Sequence, residues 1–377
     1  MARHYLDHAS TSPLRPEAAV AMTDWLAAGN FADPGRVYEE GRLAAADIER
    51  AREAVADLVH ATPQQVVFTS GGTEATNWAN WATRQRDPAA PIACTAVEHS
   101  AVRLSAARDG PVATIPVDEV GRVDLAALDG LLAGRHRPVL VNCQLANHEV
   151  GTVQPVAEVV ARCRERGVAV HVDACAAVGQ MPVDLSALGA DLFSISAHKL
   201  GGPAGVGALI VGRGFRLPAL LVGGDQERAR RAGMEAVSAI VGFGAVARAL
   251  ALPGALGEAA ARARRLSDAI AAAALGVEGV VRHGDPDIRV PHIACFGVPG
   301  VEAEGVVLGL DAAGVAVHSG SACSSETLEP SPVLAAMGAA ADRSLRCSVG
   351  WSTGDADVAA FAESFPSVIA QLRALAG

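Results

Sequence analysis

Short apolar runs alternate with amphipathic stretches through the first two thirds of the chain. Val66-Val67-Phe68-Thr69-Ser70 reads as a strand, followed by two glycines and a helix from Thr73 through about Thr83. Ile92 to Thr95, Val139 to Asn142, Val168 to Val172, Leu192 to Ile195 and Gly207 to Val211 read as further strands. Helical patterns such as Val156 to Arg166 separate several of them. This β-α alternation predicts an α/β fold with a mostly parallel sheet and helices on both faces. After about residue 250 the texture changes. Pro253-Gly254 breaks the chain, and a long Ala/Arg helix follows from Glu258 to Ala274. Short strands come around Val290 to Val298 and Val315 to His318, then more helix to the C-terminus. The second pattern predicts a smaller α+β domain. The large domain is expected over residues 14–252, and the small one over 1–13 together with 253–377.

Ligand sites in such sheets gather at the carboxyl ends of the strands. Ser70-Gly71-Gly72, His99, Asn147-His148, Asp173 and His198-Lys199 all fall at predicted strand ends. Asp173 closes the run Val168 to Val172, and Lys199 follows Ser194-Ile195-Ser196-Ala197-His198 about one βα unit later. An amine and a carboxylate so placed suit an aldehyde cofactor that needs a covalent anchor and a proton kept on its ring nitrogen. Pyridoxal 5'-phosphate (PLP) is such a cofactor. The alternative is a surface lysine and a helix-capping aspartate.

Composition narrows the picture modestly. The 377 residues are half hydrophobic and 19% charged, ordinary for a globular enzyme. A net charge of −10 argues against a nucleic-acid-binding surface. Seven cysteines without CxxC pairs suggest neither a zinc site nor a disulfide framework, and no metal is expected. Reduced thiols, no apolar leader at the N-terminus and no membrane-length apolar run lead us to expect a cytoplasmic protein.

Several motifs could carry chemistry. Gly71-Gly72-Thr73-Glu74 follows a strand and opens a helix, so its N–H groups could hold a phosphate, with Ser196 and His198 completing the cup. His99 ends Thr95-Ala96-Val97-Glu98-His99, where an imidazole could stack on a pyridine ring and shuttle protons. A histidine satisfied by a backbone carbonyl is the alternative. Gly320-Ser321-Ala322-Cys323-Ser324-Ser325 sets one cysteine among small residues in a polar segment, making Cys323 the candidate nucleophile, with Cys175 a distant second. The other cysteines sit mostly in apolar runs and read as small buried hydrophobes. Arg346, inside Ser344-Leu345-Arg346-Cys347-Ser348-Val349-Gly350, needs an anionic partner. A substrate carboxylate or an internal Asp or Glu would serve.

These motifs together resemble the cysteine desulfurases of the NifS/IscS type, within the class V aminotransferase-like PLP enzymes. The likeness runs nearly end to end, from Tyr5-Leu6-Asp7-His8-Ala9-Ser10-Thr11 through Val97-Glu98-His99, His171-Val172-Asp173-Ala174 and Ser196-Ala197-His198-Lys199 to Gly320-Ser321-Ala322-Cys323 and Arg346-Cys347-Ser348-Val349-Gly350. The segment Cys323 to Ser331 looks like the subtype with a long cysteine loop that delivers sulfur directly to partner proteins. The resemblance implies the PLP-dependent transferase fold of type I. It also implies roles. Lys199 would bind PLP covalently and act as base at the Cα of L-cysteine, and Asp173 would pair with the ring nitrogen. His99 would stack on the ring and take part in proton transfer with the substrate thiol. Gly72, Thr73, Ser196 and His198 would hold the phosphate. Arg346, with Asn147, would bind the substrate. Cys323 would attack the substrate sulfur, giving alanine and a persulfide for an acceptor protein. A homodimer is implied too.

Three departures from the family pattern stand out. Asn-Asn-Glu becomes Asn147-His148-Glu149, so His148 is expected to replace a hydrogen bond to the cofactor. Asp-Ala-x-Gln becomes Asp173-Ala174-Cys175-Ala176, and Ala176 cannot bond the cofactor's phenolic oxygen. Arg-Ser-Gly-Thr becomes Arg231-Ala232-Gly233-Met234, and Met234 cannot replace the threonine's bond to the phosphate. Retained PLP binding with a shifted absorbance titration is expected. Two other readings remain open. One is a PLP-dependent cysteine or selenocysteine lyase that does not need Cys323. The other is a degenerate homologue acting as a binding subunit, against which the intact lysine, aspartate, arginine and cysteine speak.

Overall fold

A seven-stranded sheet forms the centre of the molecule, seen in a computed structural model that describes residues 3–319 and 330–376. Its strands run in the order Val66–Thr69, Gly207–Val211, Leu192–Ser196, Ala169–Asp173, Leu140–Asn142, Ile92–Thr95, Val112–Ile115. Only Gly207–Val211 is antiparallel to its neighbours. Six of these strands are buried along their length or nearly so, which is why they read as continuous apolar runs rather than alternating ones. The edge strand Val112–Ile115 is different. Its residues are mostly exposed or half-exposed, so no apolar run marks it in the sequence.

The parallel strands are joined by helices, among them Gly72–Arg84, Ser100–Ala107 and Val156–Glu165, whose apolar stripes pack on the sheet. Helices Pro16–Ala27, Glu39–Leu58 and Val237–Ala251 pack together on one side. A second, antiparallel sheet has the order His318–Ser319, Ser344–Ser348, Ile293–Gly297, Val281–His283. Its apolar face packs against helices Ala255–Leu275, Ala303–Ala312 and Asp355–Ala376 in a separate core that includes Leu266, Phe296, Leu345, Phe361 and Phe365. His4–Tyr5 pairs in parallel with Val315–Ala316, tying the N-terminal segment to this second layer. From there the chain crosses to the large sheet, where Ser12 N–H donates to the His198 carbonyl at 2.9 Å. No single helix among the described residues is long and apolar enough to cross a membrane.

One buried ion pair fixes a strained segment. Glu227, Arg228 and Ala229 all have φ between 49° and 60°, a left-handed run that side-chain-bearing residues rarely adopt. The Glu227 carboxylate holds it by accepting both Arg52 guanidinium N–H groups at 2.7 Å and the Phe68 N–H at 2.8 Å. Beyond the run, Arg231 makes two bonds to Glu74 in the first turn of helix Gly72–Arg84. Glu74 also accepts the Ser70 N–H at 2.7 Å. The segment is thereby anchored at the end of the sheet where the glycine turn lies.

Candidate active site

The strand ends converge as the topology requires. A cavity of about 220 Å³ opens at the carboxyl ends of the parallel strands. Gly72, Thr73, His99, His148, Asp173, Cys175, Ser196, His198, Lys199 and Arg346 line it, together with Ala9 and Ser10 from the N-terminal segment.

Asp173 is the last residue of its strand, and its Oδ1 accepts the Cys175 N–H at 2.9 Å. Burial pushes this carboxyl up, but the nearby Lys199 ammonium and the Cys175 N–H outweigh it and leave it below the ordinary value. Asp173 is therefore a fixed negative charge in a dry place. Lys199 lies in a single 3-10 turn after strand Leu192–Ser196. The Gln180 amide donates to the Lys199 carbonyl at 2.8 Å and fixes the backbone that carries the amine. Motif reading missed Gln180. It also passed over a plainer signal: among 31 Lys and Arg residues, Lys199 is the only lysine in the chain.

The glycine turn opens helix Gly72–Arg84, whose first N–H groups have no intrahelical acceptors. Gly71 has φ of 155°, open in practice only to glycine, and a side chain at Gly72 would meet the Cys175 sulfur at 2.6 Å. Across the turn, Ser196 Oγ is buried without a hydrogen-bond partner among the described residues. His198 Nδ1 lies 3.2 Å from the Thr11 hydroxyl, and burial and then the Lys199 charge push its imidazole down. Positive helix end, unused hydroxyl and neutral imidazole form a seat for an anion. The Cys175 thiol donates to the Ser194 carbonyl at 3.6 Å, and burial and the Asp173 charge push it well above the usual thiol range. It is a protonated packing group and no nucleophile.

Arg346 is 1% exposed. It donates to the His148 carbonyl at 2.9 Å, to Asp7 Oδ1 at 2.8 Å and to Ser10 Oγ at 2.6 Å, while its Nε has no partner among the described residues. The internal carboxylate foreseen as one alternative is thus present, in Asp7. Asn147, expected at the substrate, is not in the cavity wall. Its amide donates to the Val97 carbonyl and its oxygen accepts the Glu149 and Val150 N–H groups. Its side-chain amide is spent on the Val97 carbonyl and its oxygen on the turn behind His148, which corrects that expectation. Cys323 lies outside the described residues.

Behind His99, Glu98 is almost fully buried; its Oε1 accepts the Thr95 hydroxyl at 2.6 Å and the Gln144 N–H at 2.7 Å. Burial pushes its carboxyl up to about 8 despite these bonds. A folded value above the ordinary carboxylate value means that the folded chain keeps a proton the unfolded chain releases. The resulting stabilisation is complete in acid and is lost as pH rises from about 4.5 to about 8. Glu98→Gln should abolish this dependence. The gap in melting temperature between variant and wild type, followed by circular dichroism, should move in the variant's favour between about pH 5 and about pH 8. A gap independent of pH would show that Glu98 is ionised in the fold.

Comparison with known proteins agrees with this geometry. The aminotransferase class-V family model matches residues 4–361. A cysteine desulfurase (IscS 1) of Archaeoglobus fulgidus is 38% identical over 98% of this chain and 98% of its own length. An IscS-like cysteine desulfurase of Mycobacterium tuberculosis is 39% identical over 98% of this chain and 97% of its own. The X-ray structure of a NifS-like protein from Rickettsia africae superposes with a TM-score of 0.88 at 28% identity, covering 97% of this chain and 99% of that one.

Proposed function

The chain belongs to the aminotransferase class-V family, and from that premise we infer that it is a cysteine desulfurase, releasing alanine from L-cysteine and passing the sulfur to an acceptor protein. One observation carries the reading: the only lysine of the chain and a buried, charged aspartate face one cavity with an anion seat beside them. The residues present fit PLP. Ser196 offers an unpartnered hydroxyl, Gly72 leaves room at the helix end, and Asp173 is held ionised as a ring N–H partner must be. Lys199 would hold the cofactor covalently, Asp173 its ring nitrogen, and Gly72, Thr73, Ser196 and His198 its phosphate. When bound there, PLP supplies an electron sink for the charge that develops at the cysteine Cα.

The chain's own groups do the rest. Arg346 holds the substrate carboxylate with the face that Asp7 and Ser10 leave open. Lys199 moves the proton at Cα. His99 stands at the cavity as the N-cap of helix Ser100–Ala107 and handles a proton near the thiol. Cys323, as thiolate, takes the sulfur. The large unit is taken as 14–252, with 1–13 and 253–377 as the small one. The protein acts in the cytoplasm as a homodimer. Support for the dimer comes from exposed apolar side chains at Phe31, Val37, Val222 and Met234, around the anchored segment. The test is a single turnover of the PLP-loaded protein with an equimolar amount of cysteine and no added thiol. Alanine and protein-bound persulfide in equal initial amounts are expected, and absence of alanine would refute the reading.

A further inference from the structure

The N-terminal segment spends part of the Arg346 guanidinium before any substrate arrives. Both hydrogens of Nη2 are in use: one goes to Asp7 Oδ1 at 2.8 Å and one to Ser10 Oγ at 2.6 Å. The Ser10 hydroxyl in turn donates to Asp7 Oδ1 at 3.0 Å, which closes a triangle around that nitrogen. Asp7 is the only ion-pair partner of Arg346 among the described residues. Nε keeps an N–H without a partner among them.

Backbone bonds hold this clamp in place. Asp7 bridges in parallel to Ser348, on the same strand as Arg346. The Ser348 N–H donates to the Leu6 carbonyl at 2.7 Å, the His8 N–H to the Ser348 carbonyl at 3.3 Å, and the Ala9 N–H to Ser348 Oγ at 2.8 Å. The Tyr5 hydroxyl closes the segment on the carbonyls of Asp7 and Thr11. Asp7 and Arg346 therefore ride on one rigid piece. Ala9, Ser10 and Arg346 line the cavity, and Asp7 does not. An incoming carboxylate thus meets a guanidinium whose counter-ion is already seated.

We propose that Asp7, with Ser10, is a resident counter-ion clamp that weakens the hold of Arg346 on the carboxylate of cysteine and of alanine. The proposal rests on the cysteine desulfurase reading. Substrate and product share that carboxylate, so a stronger grip would retain both and gain nothing for the chemical step. A second carboxylate at Arg346 is repelled by Asp7. That repulsion is poorly screened, because the two side chains are only 1% and 15% exposed. The charge at Asp7 thus sets substrate affinity and product release together, and Asp7 acts as a positioning residue from outside the cavity wall.

The test titrates wild type, Asp7→Asn and Ser10→Ala, each PLP-loaded, with alanine and with ethylamine, following the cofactor's absorbance. Ethylamine is alanine without its carboxylate. Asparagine keeps an acceptor for Nη2 and removes the charge. The dissociation constant for alanine should fall about tenfold in Asp7→Asn, the scale of one hydrogen bond to a charged group. That for ethylamine should stay at the wild-type value. KM for cysteine should fall with the alanine constant, without a gain in kcat. Ser10→Ala frees an Nη2 hydrogen and should also tighten alanine alone, by a smaller factor. An alanine constant that is unchanged or higher in Asp7→Asn would overturn the proposal, as would an equal change for ethylamine. Should Asp7→Asn not fold, Ser10→Ala carries the test, and unchanged alanine binding there overturns it. Wild type that makes no alanine from cysteine would instead refute the function, and the two titrations would still be read.

Discussion

Replacing Lys199 with alanine is expected to lower alanine formation from cysteine by at least ~10³-fold, since a positioned proton-transfer group alone is worth about 10²–10⁴-fold and the covalent anchor is lost with it. The long-wavelength absorbance of the purified protein should disappear in the same variant. The cause is local. Lys199 is the only lysine, so no neighbour can substitute for its amine. Asp173 would then lose the ammonium that does most to offset its burial. The Lys199 charge is what offsets the burial of that carboxyl, so its value should rise in the variant. Fold should persist, because the turn that carries Lys199 is held by its backbone: the Gln180 amide binds its carbonyl, and the neighbouring His198 carbonyl accepts the Ser12 N–H. A variant that kept its colour and turnover would show that the amine at 199 is a bystander.

Cys323→Ser has the second largest expected effect, and it separates two chemistries. A desulfurase needs a thiolate to attack the substrate sulfur, and a serine hydroxyl is not ionised at neutral pH. Alanine formation should fall about 10²-fold or more, the scale of losing a group required for the chemical step. No persulfide should form on the protein. A lyase releasing sulfide or selenide would keep its turnover with serine at 323. The six cysteines at 94, 143, 163, 175, 295 and 347 are all buried, and burial pushes each thiol to about 12 or well above the usual value. None of them is a ready nucleophile to rescue the loss. Full turnover in Cys323→Ser would move the protein to the lyase reading while leaving Lys199 and Asp173 in place.

The central sheet was legible because its strands are buried on both faces. Ile92–Thr95 and Gly207–Val211 end where their apolar runs end. Val112–Ile115 was not, since an edge strand with exposed positions carries no such run. The site was legible through strand ends, where chain connectivity alone brings Asp173 and the turn of Lys199 together. What escaped was set by contacts distant in sequence. Asp7 and Ser10 reach Arg346 across the whole chain, and Gln180 reaches the Lys199 carbonyl from a neighbouring turn. Asn147 was misplaced for a related reason. A tight turn consumes an asparagine side chain in bonds to its own backbone, which no motif records.

The proposed chemistry depends on the amine at 199 and the carboxylate at 173 holding one aldehyde between them. Borohydride reduction of the purified protein, followed by peptide mass mapping, tests this directly, because Lys199 is the only lysine in the sequence. A pyridoxyl group on the peptide containing Lys199, lost when the protein is first treated with hydroxylamine, is the predicted result. An unmodified Lys199 in protein supplied with excess PLP would contradict the account.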